Sequence, residues 1–499
     1  MNRFLVWMGV LLVIMFPGSA HAQTSWWGDS RDAAADARSV WVYYSNEYDW
    51  NYNSDTKVIN VVKDMNSKNI DIIIASMTYA DIANLSNPAA ERTKRLQLMI
   101  NEAASRGMKV YAGHWEEQFT GSSDQMSKYT RVDHIISFNS GNAATDADIV
   151  GVVTDYEMHG SNRSMANYDN WRLFHHNLKS RIGMNSLKVL PVTNDPDVWI
   201  SGCTDCTSSW KSANGITGSN PFTGDVAYFS SYNGTVFADS LIGMYYYAAP
   251  STIQAKAHDD IVEAQNLATS IVVGFSVGPN GVDPSLVTEG EVIQAVRLIE
   301  SERAAYPLGV LGTMCWRWDK PDDTDQEYRD IMGAQFPAIE DAHVRGGTSS
   351  GDNYGASALL EVKDAPGGTD YDRLSYWKFD LSEYTGSSVQ SAVLSFYLNT
   401  GVNDASVPSV PVTWQGLTVD SWQESTVTWN NRPGTSGASV LGTVSLTNAG
   451  WYSIDITSYV NSQMADKVLT LRLSDDTSKD RLVKINSKEN TNGAYLTIH

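Results

Sequence analysis

Long apolar runs are almost absent from this chain of 499 residues. The longest, Phe4 to Phe16, is too short for a membrane helix, which needs about 20 apolar residues. Asn2-Arg3 precedes it, Pro17-Gly18 breaks it, and Ala20-His21-Ala22 offers a small-residue cleavage site before Gln23. This layout predicts a secretory signal peptide over 1–22 and an exported protein, extracellular or periplasmic, without a membrane span. Basic side chains are also few, 36 against 57 acidic ones, for a net charge of −21. No basic stripe is available to neutralise phosphates, which excludes a nucleic-acid partner. No protein partner is implied either.

Only three cysteines are present, too few for a disulfide-built scaffold. Cys203 and Cys206 lie in the loop-like SGCTDCTSSW, where a local disulfide competes with a redox pair or half a zinc site. Cys315, within VLGTMCW, reads as a buried free thiol. His114, His159, His175 and His176 have no metal-ligand spacing with carboxylates, so no catalytic metal or cofactor is expected.

Tryptophan, in contrast, is abundant, with 16 copies. Flat amphipathic rings in an acidic, Asn-, Ser- and Gly-rich chain suit a ligand with apolar and hydroxylated faces, such as a sugar.

Eight short apolar runs follow, starting at Val40, Ile70, Lys109, Ile149, Lys188, Leu241, Ser270 and Leu308. Amphipathic stretches such as Ala89 to Gly107 and EGEVIQAVRLIESERAAY separate several of them. The period predicts a (β/α)8 TIM barrel over 23–338, with a doubly wound open sheet as the alternative. Past RGGTSSGDNYGAS (345–357) no amphipathic helix is found, and short alternating strands replace it: SYWKFDL, SAVLSFYL, WYSIDI, KVLTLRL. These predict an all-β sandwich or jelly roll over 339–499. Residues 341–499 carry 11 basic and 17 acidic groups, which leaves −15 of the −21 to the rest.

In such a barrel the chemistry lies at the C-terminal ends of the strands. Those ends carry Tyr44, Trp115, Glu116, Asp155, Glu157, Asn194, Asp195, the run Tyr245-Tyr246-Tyr247, Trp316, Trp318 and Asp319. Carboxylates among aromatic rings suit glycoside chemistry, with an acid for the leaving oxygen and flat faces for pyranose rings. Asp155 and Glu157, at i and i+2, share one face of a strand, and their repulsion favours a proton on one of them. A charged rim or a helix cap is the plainer reading of that pair, and strand propensity that of the tyrosines.

GVVTDYE resembles the fourth-strand signature D-x-D-x-E of glycoside hydrolase family 18, with Asp155 and Glu157 on its last two acids and Val153 in place of the first. LIGMYYYAAP is similar to that family's M-x-Y-D/N segment, through Met244 and Tyr246, with Tyr247 in the last position. LGVLGTMCWRWDKPDD resembles the segment whose Trp floors a sugar subsite, through Trp316 or Trp318. The resemblance implies Glu157 as general acid and attack by the substrate's 2-acetamido group, oriented by Asp155 and Tyr246. With Val153 and Tyr247 departing from it, a two-carboxylate mechanism stays open, Glu157 paired with Glu116, Asp195 or Asp319. Tyr44, Trp115, Asn194, Met244 and Tyr247 complete the expected substrate contacts.

HVRGGTSSGDNYGASALLEVKD, YWKFDLS, SWQESTVTWNNRPGT, WYSIDITSYV and INSKENTNGAYLTI resemble, in order, carbohydrate-binding module family 96, the DNRLRE type. That resemblance implies binding of carboxylated algal polysaccharide through cations, drawn from Arg345, Lys363, Arg373, Lys378, Lys484 and Lys488. Lys363, Lys378 and Lys488 fall inside matched motifs. It also suggests a structural calcium, with Asp341 and Asp380 as candidate ligands.

The sequence therefore predicts a secreted polysaccharide-degrading glycoside hydrolase with an appended binding module. A non-catalytic polysaccharide-binding protein with a degenerate barrel and a uronate polysaccharide lyase are the alternatives.

Overall fold

A computed structural model describes residues 37–43, 54–68, 70–77, 79–87, 89–116, 125–156, 158, 162–183, 187–219, 221–278, 285–316, 332–366, 369–402, 408–477, 480–490 and 492–499. The expected signal peptide lies outside the described residues. Eight parallel strands close into a barrel: β1 (Ala37–Tyr43), β2 (Ile72–Ser76), β3 (Lys109–Glu116), β4 (Gly151–Tyr156), β5 (Lys188–Asn194), β6 (Leu241–Met244), β7 (Ile271–Ser276) and β8 (Val310–Trp316). Closure comes from β1 pairing with β8, Ala37 opposite Gly312 through Val40 opposite Cys315. An open doubly wound sheet would leave those edges apart.

Helices outside the strands include α1 (Asp55–Ser67), α2 (Glu91–Ser105), α3 (Gln125–Gly141), α4 (Met165–Ile182), α5 (Pro196–Ser201), α6 (Asp225–Ser230), α7 (Pro250–Ala264) and α8 (Glu289–Ala305). Their caps are encoded locally. Thr288 and Glu291 form a reciprocal capping box at the start of α8, and the buried Val292, Val296 and Ile299 follow at helical spacing. Alternation along the strands separates two cores. Val152, Val189, Leu241 and Val273 pack outward against the helices, while Val153, Leu190, Ile242, Val272 and Met314 fill the barrel interior.

The C-terminal region holds two antiparallel sheets. Its strands are β9 (Ala334–Pro337), β10 (Glu340–Arg345), β11 (Leu359–Val362), β12 (Arg373–Asp380), β13 (Ala392–Leu398), β14 (Val410–Leu417), β15 (Ser439–Leu446), β16 (Gly450–Asp455), β17 (Val468–Asp475), β18 (Val483–Asn486) and β19 (Tyr495–Ile498). One sheet runs β9-β19-β13-β18-β11 with β16 beside β13; the other runs β10-β12-β17-β14-β15. Leu394, Phe396 and Leu398 from one sheet and Trp377, Trp414 and Leu471 from the other share a single core. Trp377 and Trp414 stack at 4.9 Å.

The boundary expected at 338 falls inside this sandwich. Ala334–Pro337 pair with Ile498–Tyr495, so the first strand lies ahead of Ile339. Four residues are too few to show a period, and only pairing with the far end of the chain defines them. The two regions also touch through side chains. Arg106 at the end of α2 donates to Glu383 at 3.0 Å, and Glu289 of α8 accepts from the Gly333 backbone at 3.0 Å.

Candidate active site

On β4 the interior position after Val153 is Asp155, which is fully buried at the C-terminal end of the strand. The intervening Thr154 faces outward. Its hydroxyl donates to His175 Nε2 at 2.7 Å, while His175 Nδ1–H donates to the Trp171 carbonyl at 2.8 Å. Burial drives the His175 pKa down to about 3, so the ring packs here in its neutral form.

The same alternation sorts the tyrosines after β6. Met244 and Tyr246 belong to the interior with Trp316 of β8. Tyr245 points the other way and is fully buried, its hydroxyl donating to Asp260 of α7 at 2.5 Å. Gly243 is required there, because a Cβ would meet the Tyr245 ring at 2.5 Å. Of the sequence-predicted residues, the structure thus brings Asp155, Met244, Tyr246 and Trp316 to the inner wall. Trp115 lies opposite Asp155 in the β3–β4 pairing, with Glu116 next to it. The side chains of Trp115 and Glu116, and all of Tyr44, Glu157, Trp318 and Asp319, lie outside the described residues.

Asn194 ends β5, and its Oδ1 accepts the Asp195 backbone N–H at 3.0 Å. Asp195 has a structural duty: it caps α5, accepting from Val198 N–H at 3.4 Å. Burial, and then the charge of Asp197, push its carboxyl up to about 6. Tyr247 packs half-buried against the outer core, where burial and then the Asp195 charge raise its phenol.

Behind β5 and β6 is a group of acids that the sequence reading missed. Asp197, Asp225 and Asp260 are all buried. Burial, Glu263 and Asp197 raise Asp225 to about 8, and burial with Asp225 and Asp195 holds Asp260 well above the carboxylate range. Asp260 was detectable: it shares the buried face of α7 with Ile253, Ala257, Ile261 and Ala264, where an acid stands out.

In the sandwich the three motif lysines are all engaged. Lys363 pairs with Asp480 at 2.7 Å, and Lys488 with Glu424 at 3.0 Å and Glu489 at 2.5 Å. Lys378, expected as a solvent-facing contact, is instead buried and holds Glu340 and the Trp422 carbonyl. It lies on an inner strand, where an unpaired ammonium would be costly. Arg345 and Arg373 likewise share Glu361, at 2.7 and 2.6 Å.

The calcium candidates separate. Carboxylate oxygens of Asp341, Glu424 and Glu489 lie within 4.8 Å of one another, and the buried Asp341 Oδ1 has no hydrogen-bond partner among the described residues. These residues fit an oxygen-seeking cation, although Lys488 already contacts both glutamates. Asp380 is not part of this group; its Oδ1 accepts from Ser382 N–H in a turn. Cys203 and Cys206 form a disulfide, and Cys315 is a buried thiol.

Residues 333–499 match the model of carbohydrate-binding module family 96. A search of the curated proteins found no match. Among solved structures, the chain is similar to a family 18 chitinase from Pseudoalteromonas aurantia, at 14% identity and TM-score 0.37, covering 57% of this chain and 95% of that one. It is also similar to a family 30 endoxylanase from Clostridium papyrosolvens, at 12% identity and TM-score 0.34, covering 88% and 97%. A chitinase from Ipomoea carnea aligns at 14% identity and TM-score 0.33, over 56% and 93%. At such values these likenesses add nothing to the barrel topology, which stands on its own strand pairing.

Proposed function

We propose that this protein is a secreted glycoside hydrolase that degrades a polysaccharide, with the barrel supplying the chemistry and the sandwich supplying attachment. The match of 333–499 to a carbohydrate-binding family supports a carbohydrate-active protein. The observation that carries the hydrolytic reading is Asp155, buried at the C-terminal end of β4 on the face that Met244, Tyr246 and Trp316 also line. Glu157 follows it by two residues in TDYE and is assigned as the general acid, giving its proton to the glycosidic oxygen as the bond breaks. Asp155 and Tyr246 orient the group that attacks the anomeric carbon, and Trp316 stacks on the ring. Val153, buried where the family 18 signature has an acid, removes the proton relay below Asp155. Asp195, whose carboxyl burial pushes up to about 6, is therefore retained as the alternative partner carboxylate. In the sandwich, a structural calcium would be held by Asp341, Glu424 and Glu489.

The test is a screen of chitin, alginate and other plant and marine glycans, with product masses, followed by Glu157→Gln on whichever substrate is cleaved. New reducing ends that vanish in the variant support the reading. Unsaturated products absorbing in the ultraviolet would point to a lyase instead. Binding without cleavage would leave a non-catalytic barrel, the reading that the buried Val153 favours.

A further inference from the structure

If the sandwich binds polysaccharide, as the proposed function holds, its sugar surface need not be the cations. Lys363, Lys378 and Lys488 each face a carboxylate of the sandwich, so an acidic ligand would have to break an existing pair at every one. Net charge over 341–499 is −6, from 11 basic and 17 acidic groups, and gives no long-range attraction for a polyanion.

A different surface is open. Trp451 is 44% exposed, and among the tryptophans whose side chains are described no other is exposed. It lies on β16, whose inward residues Tyr452 and Ile454 pack against the sandwich core, so Trp451 stands on the outer face. Tyr397 of β13 is its direct cross-strand neighbour, with ring centroids 5.4 Å apart and planes at 78°. Tyr495 of β19 meets Trp451 from the far side of β13, at 5.4 Å and 63°. The ring spans β13 over a small residue, Ser395, which pairs with Ser453 on one side and Tyr495 on the other. Two edge-to-face contacts fix the indole without covering it. Two residues on from Tyr397, the exposed Asn399 donates to the buried Asn486 at 2.9 Å.

We propose that Trp451, braced by Tyr397 and Tyr495, is the surface on which the sandwich binds a polysaccharide, through the apolar face of a pyranose ring. The chemistry is that of the ligand class, since a sugar presents C–H groups on one face and hydroxyls at its edge. An indole fixed at its edges meets the first, and the exposed Asn399 amide and Ser453 hydroxyl meet the second. The cations then serve folding, each neutralising an acid of its own domain.

The experiment uses the full chain in native gels containing alginate, glycol chitin or xylan, and the polysaccharide that retards the wild type is the probe. Trp451→Ala is expected to weaken apparent binding about tenfold and Tyr397→Ala severalfold, with Trp451→Phe restoring most of the loss. Lys363→Met and Lys488→Met are expected to change it less than about twofold. An unchanged melting temperature for Trp451→Ala shows that the loss is local. The proposal is overturned if Trp451→Ala is retarded like the wild type, if none of the three polysaccharides retards the chain, or if binding follows the lysines instead. It is also overturned if sedimentation shows that Trp451→Ala dissolves a dimer, which would make the patch a contact between copies. Glu157→Gln should be retarded normally, so a wrong surface and a wrong reaction give different outcomes.

Discussion

The two regions differ in how they treat most of their buried charge. In the barrel, burial and then neighbouring acids raise the proton affinities of Asp195, Asp225 and Asp260, and burial raises that of Asp197. In the sandwich, several acids that leave the surface meet cations: Glu340 with Lys378, Glu361 with Arg345 and Arg373, Glu424 with Lys488; the buried Asp341 and Asp475, raised first by burial, are exceptions. Unrelieved carboxylates are what acid–base chemistry exploits, and paired ones are what a stable scaffold needs. The contrast fits the proposed division, with chemistry in the barrel and ligand recognition by something other than charge in the sandwich.

Removing a sandwich cation should have the largest effect on stability. Lys378→Met leaves Glu340 without its partner on an inner strand and is expected to cost about 2–3 kcal/mol, read by guanidinium unfolding. Lys378→Met combined with Glu340→Gln should cost less than the sum of the two single changes.

The barrel acids should show themselves through pH. Asp225 keeps its proton up to about 8 in the folded chain, whereas an unfolded Asp loses it near pH 4, at about 3.9. The folded state therefore holds more protons between those values, and stability falls as pH rises from about 4 towards 8. Asp225→Asn should remove up to about 1.4 kcal/mol per pH unit from that slope, measured by melting at pH 5, 6.5 and 8. A sandwich-only change such as Lys363→Met should leave the slope as it is. The smallest effect concerns the join between the regions. Arg106→Ala, which removes the contact with Glu383, should lower stability by about 1 kcal/mol or less in calorimetry.

How much of this was legible in the sequence depended on distance along the chain. The eight barrel runs fall on the eight strands, since each run is a local pattern bounded by turn residues. Period-two reasoning likewise puts Tyr246 with Met244 and sends Tyr245 outward. The fates of the lysines were not legible, because Lys378 meets Glu340 from another strand and Lys363 meets Asp480 from a distant turn. Asp225 is hidden for the same reason: its neighbours Asp197 and Glu263 come from α5 and α7. Only the fold places them together. The aromatic surface shows both limits, with Trp451 readable as an outward strand residue and its bracing by Tyr495 visible only once β19 is placed.

The most direct measurement is the release of reducing ends by the wild type and by Glu157→Gln on one cleaved polysaccharide, with retardation by the same polysaccharide read alongside. Glu157→Gln is expected to lose at least about 100-fold in turnover while its retardation stays unchanged. Hydrolysis by Glu157→Gln at the wild-type rate would contradict the assignment of Glu157 as general acid.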